Sequence, residues 1–96
     1  MDITTFKASL HDAIPPAGLN ACLEALWREG KGDWDAAHKL VQDEKTPQAA
    51  AVHAYLHRVE GDLSNAAYWY RRAGREAETG ELADEWTALA GEFLGG

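Results

Sequence analysis

Ninety-six residues, 46% hydrophobic and 26% charged, describe one small folded domain rather than a disordered chain. Nine Lys plus Arg against sixteen Asp plus Glu leave a formal charge of −7, which argues against a general binder of the nucleic-acid backbone. No apolar run approaches the roughly 20 residues of a membrane span, and Met1-Asp2-Ile3-Thr4-Thr5 lacks the basic and apolar regions of a secretory signal.

Cys22 is the only cysteine, so an intrachain disulfide and a multi-cysteine zinc site are both excluded. A cytoplasmic location is the expectation, since reducing conditions suit such a chain. Cys22 stands among Leu19, Leu23 and Leu26, as a small buried hydrophobe would. The charge is uneven. Beyond Arg75 the chain holds Glu76, Glu78, Glu81, Asp84, Glu85 and Glu92 and no base.

Apolar residues recur at spacings of three and four, alanine is abundant and β-branched residues are few, so the expected class is all-α. The first helix is predicted from Ile3 to about Ala13, capped by Asp2 and stopped at Pro15-Pro16. The second is predicted from near Pro16, with Leu19, Cys22, Leu23, Leu26 and Trp27 inward, and ends at Gly30 and Gly32. Asp33 caps a third, facing inward with Trp34, Ala37, His38 and Val41. Thr46-Pro47, a cap followed by proline, opens a fourth with a stripe of Val52, Tyr55, Leu56 and Val59. Gly61 ends it. Asp62 caps a fifth that turns Leu63, Ala66, Ala67, Tyr70 and Ala73 inward and stops at Gly74. Thr79-Gly80 opens the sixth, with Leu82, Trp86, Leu89 and Phe93 at helical spacing. The connections are too short to divide the chain, so residues 1–96 are expected to form one bundle of about six antiparallel helices.

A shift of 29 residues lays part of the chain on itself: Ala25 on Ala54, Gly32 on Gly61, Asp33 on Asp62, Trp34 on Leu63 and Ala37 on Ala66. Each copy reads as a helical hairpin with a Gly-Asp turn, spanning about residues 20–45 and 47–74. Glycine supplies the left-handed helix end and aspartate caps the next helix. Such a hairpin cannot bury its apolar face alone and stacks on a neighbour.

In the second copy Gly61, Leu63, Ala66, Trp69 or Tyr70, Arg72 and Ala73 fill the glycine, apolar, alanine, aromatic, basic and alanine places of tetratricopeptide and Sel1-like repeats. Residues 20–75 resemble those families, whose fold implies paired antiparallel helices. The period departs from the usual 34 or so, and the first helices lack the families' Trp and Leu-Gly pairs. The stretch from His53 to Arg75 also resembles small bacterial and fungal proteins of unassigned activity, which implies nothing about chemistry.

His53 and His57 are four apart and share one face of the fourth helix, with Glu60 a turn further on. Taking about 100° per residue from Val52, the apolar stripe centres near −10° and these three fall at about 80–140°, beside it. His38 lies on the inner face of the neighbouring third helix. His38, His53, His57 and Glu60 are thus a candidate ligand set for Zn²⁺, Ni²⁺ or Fe²⁺, serving as a binding site or a small metal-dependent hydrolase. Ala54 stands where the metalloprotease helix would need its glutamate. Half-buried histidines satisfied by Glu60, Asp62 or backbone are the competing interpretation.

Arg58, Asn65, Tyr68, Trp69, Arg71, Arg72 and Arg75 form a second candidate, a surface for a protein or peptide partner or a homodimer, because exposed Trp and Arg anchor interfaces. The competing interpretation buries Trp69 and pairs the arginines with the acidic segment. Neither Ser9 nor Ser64 has a nucleophile elbow around it, and Gly30-Lys31-Gly32-Asp33 reads as a turn rather than a phosphate loop. The sequence therefore favours a non-enzymatic binding module, with metal chemistry as the alternative.

Overall fold

The computed structural model describes residues 1–95, and among them it holds six α-helices and no strand. They are α1 (Ile3–Ala8), α2 (Ala21–Gly30), α3 (Trp34–Val41), α4 (Pro47–Val59), α5 (Leu63–Ala73) and α6 (Leu82–Phe93), with a 3₁₀ turn at Ser9–His11. The all-α bundle follows from caps that the sequence spells out. Side chains of Asp2, Asn20, Asp33, Thr46 and Asp62 each accept from the backbone N–H three residues on.

The two Gly-Asp turns share their hydrogen bonds. Gly32 and Gly61 sit at φ of +87° and +85°. The Gly32 N–H donates to the Glu29 carbonyl and the Asp33 N–H to the Arg28 carbonyl; Gly61 and Asp62 do the same with Arg58 and His57. This is the Schellman closure of a helix end, twice over, and it turns α2 into α3 and α4 into α5.

Two helix starts and one helix end differ from the sequence-based boundaries. α1 stops at Ala8 and tightens into the 3₁₀ turn, where the Ser9 hydroxyl donates to the Phe6 carbonyl. α2 begins at Ala21 rather than near Pro16, because Asn20 provides the cap and Gly18, at φ +81°, turns the chain before it. α6 begins at Leu82 after Glu81.

α4 is the central element and packs against α2, α3, α5 and α6. Every residue from Ala49 to His57 is buried, so its apolar surface runs all round and not along one stripe. Phe6, Leu26, Trp27, Val41, Val52 and Leu56 are the largest side chains sealed in the core. Three indoles fasten it: Trp27 Nε1 donates to Ser9 Oγ, Trp34 Nε1 to the Leu56 carbonyl and Trp86 Nε1 to the Leu26 carbonyl. Leu63, expected inside, is 67% exposed. Trp34 occupies the equivalent place in the first hairpin and reaches across to α4, whereas no further hairpin stacks on α5 among the described residues.

Candidate functional site

α4 carries His53 and His57 on adjacent turns, and α3 packs beside it with His38. The three rings meet. One nitrogen from each lies within 4.8 Å of the other two, and His53 and His57 are buried while His38 is half-exposed. His38 Nε2 and His53 Nε2 are 2.9 Å apart, so one donates a single proton to the other. The His57 Nδ1–H donates to Glu60 Oε1 at 2.6 Å, leaving its Nε2 as the nitrogen available to the cluster. His53 Nδ1 is buried with no hydrogen-bond partner.

Two tryptophans enclose the imidazoles. Trp34 stacks on His38 with centroids 4.8 Å apart and meets His57 edge-on at 6.0 Å. Trp69 lies face to face on His53 at 3.8 Å and 14°. Helix spacing explains both contacts: Trp34 precedes His38 by one turn of α3, and Trp69 lies on α5, the helix paired with α4.

Burial, then His57, holds His38 below the usual imidazole range against Glu60 and Asp35, and burial, then His38 and His57, lowers His53 to about 4. Near neutral pH these two rings are uncharged, the form in which imidazole binds a metal. A carboxylate on the outer nitrogen of a metal-binding histidine fixes its tautomer and raises its basicity, and Glu60 is placed to do that for His57. A buried nitrogen with no partner, as at His53, calls for an explanation. It is not the nitrogen that faces His38, so a cation held at Nε2 between the rings would leave it unpaired. Glu60 is outside the nitrogen triad itself and belongs with Asp62 in an exposed group around His57.

The arginine and aromatic residues are held in different ways. Arg58 is turned inward, donating to Glu85 Oε1 at 2.6 Å and to the Gly80 carbonyl. Arg75 makes a two-pronged pair with Glu92, at 3.0 and 2.6 Å. Trp69 is half-buried against His53, and Asn65 is half-buried at the start of α5. Tyr68, Arg71 and Arg72 remain exposed, with the Arg72 guanidinium over the rings of Tyr68 and Trp69. Two groups went unnoticed in the sequence. The stacking of Trp34 and Trp69 on the histidines is one, though Trp34 at i−4 to His38 was a readable signal. Glu85 is the other, 5% exposed and accepting also from the Tyr70 hydroxyl.

Cys22 lines a shallow groove of about 620 Å³ with Asn20, Glu44, Thr46, Gln48 and Phe93, apart from the histidines. Burial, then the Glu44 charge, pushes its thiol up to about 11, so it carries little nucleophilic thiolate at neutral pH.

The chain matches no family model, no curated protein and no solved structure. No helix among the described residues is long and apolar enough to cross a membrane.

Proposed function

We propose that this chain is a helical module that binds a transition-metal ion at His38, His53 and His57, with Glu60 positioning His57. One observation carries this reading: three imidazoles from two helices bring a nitrogen each to within 4.8 Å of one another. Zinc bound by imidazole has Zn–N distances of about 2.0–2.1 Å, which such a triad spans with small side-chain movements. His53 is already neutral and, like His57, buried, so little desolvation of these two ligands remains when a metal enters.

The test is elemental analysis of untagged protein, paired with thermal unfolding. Expected results are about one equivalent of a single divalent metal and a rise in Tm on adding Zn²⁺ to the chelator-treated chain. His38→Ala should lose that rise while keeping its helical circular dichroism, because His38 is the half-exposed member of the three. Less than about a tenth of an equivalent of any transition metal, with no shift on adding Zn²⁺ or Ni²⁺, refutes the reading.

A second reading, a surface for a protein or peptide partner or for another copy of the chain, is favoured by Tyr68, which is 44% exposed beneath the Arg72 guanidinium. Tyr and Arg anchor interfaces. Under this reading Tyr68→Ala with Arg72→Ala abolishes a partner or dimer seen by size-exclusion chromatography, with unchanged Tm. A double variant that elutes as wild type does removes it.

A further inference from the structure

The coordination sphere of the proposed metal can be deduced from what surrounds the three histidines. We infer that the centre is tetrahedral, with three imidazole ligands and a fourth position held by one exchangeable monodentate ligand from solution, a water or a small anion. This deepens, and rests on, the reading that the cluster binds a metal.

The first support is the absence of a fourth protein donor. Among the described residues, no carboxylate or thiolate joins His38, His53 and His57 within the same 4.8 Å. Glu60 is engaged by the outer nitrogen of His57, and Asp62 groups only with those two. Cys22 lies in a separate groove.

The second support is steric. Trp34 covers the face of His38 and borders His57, and Trp69 covers the face of His53. Indoles against all three ligands hold the ring planes and leave the imidazoles little freedom to splay apart for a fifth and sixth ligand. Imidazole donors in a low-number site suit Zn²⁺, and Co²⁺ as its stand-in, better than ions that favour octahedral oxygen sites.

The third support is access combined with charge. His38 alone of the three is half-exposed, so the α3 side of the cluster is the one nearest to solvent. Neutral imidazoles leave the charge of a divalent ion uncancelled, and Glu60 offsets it only through His57. A centre of that charge draws a small anion, or lowers the pKa of a bound water towards neutrality. Three protein ligands with one open position is the arrangement of catalytic rather than purely structural zinc.

Titration of Co²⁺ into the chelator-treated, untagged full chain tests this. The expected spectrum has visible d–d bands far stronger than those of the six-coordinate aqueous ion, because a centrosymmetric octahedral field forbids transitions that a tetrahedral one partly allows. Sodium azide should then shift those bands by entering the fourth position. Weak octahedral-type bands at saturation overturn the tetrahedral assignment and leave metal binding standing. Strong bands unmoved by azide overturn the exchangeable ligand. Failure of both Co²⁺ and Zn²⁺ to bind, judged by dialysis and metal analysis, overturns the underlying reading instead. Trp69→Ala, which opens one wall, should weaken the bands while retaining bound Co²⁺; unchanged bands would refute the steric role of that indole.

Discussion

His53 shows how one buried ring links stability to pH. Its ordinary value is 6.5 and in the fold it is lowered to about 4, by burial first and then by His38 and His57. Between those values the unfolded chain binds a proton that the folded chain refuses, so acid favours unfolding. His38 is shifted in the same direction and adds to the effect. Asp35 and Glu60, which face His38, oppose it without reversing it. The metal-free chain should therefore lose stability as pH falls from about 6.5 to about 4, at up to about 1.4 kcal/mol per pH unit for the His53 proton. Urea unfolding at several pH values in the presence of chelator checks this. A His53→Gln chain with the same slope across that window would show that the dependence arises elsewhere.

The elements with a strong local signal were the legible ones. Asp33, Thr46-Pro47 and Asp62 are cap residues in the right places, and each opens the helix that it announces. Gly32 and Gly61 adopt the positive φ that their turns require, so the shift of 29 residues corresponds to a real repetition of local hydrogen bonding. Membership of a repeat family is a separate matter, and nothing in those bonds decides it. Boundaries failed where two signals competed. Pro16 suits a first helical turn, but Asn20 binds the Leu23 N–H and starts α2 five residues later. The inner face of α5 failed at Leu63 because periodicity tells which residues share a face, not whether a neighbour covers that end of it. The histidine pair was legible because i, i+4 spacing is a property of one helix. Its meeting with His38 needed only adjacent packing of α3 and α4. The indole walls depend on where α5 lies, which local spacing does not give.

At the scale of the whole molecule, the sequence hid how α6 is held. An acid in the first turn of a helix reads as a partner for the helix dipole, and Glu85 is in that position. In the fold it is instead buried, and its two oxygens accept from Arg58 at the end of α4 and Tyr70 on α5. Arg58 and Glu85 side chains are only 13% and 4% exposed, so the pair lies in a region where water contributes little. Burial and the Glu85 carboxylate raise the Tyr70 hydroxyl above its ordinary value, which keeps it a donor at any pH where the fold is studied. A paired buried charge adds little net stability, yet removing one partner strands the other and costs about 3–5 kcal/mol. Arg58→Met should thus lower the urea midpoint strongly by leaving Glu85 without its cation. Arg58→Met with Glu85→Leu should recover much of that loss, since the stranded carboxylate is gone, although the Tyr70 hydroxyl then lacks its acceptor. If the double variant is as unstable as the sum of the two single ones, the pair is not coupled, and α6 is held by the Phe6–Trp86 stack and the Trp86 bond to Leu26. Recovery would instead identify a charged clasp joining α4, α5 and α6 at the end of the bundle where α4 turns into α5.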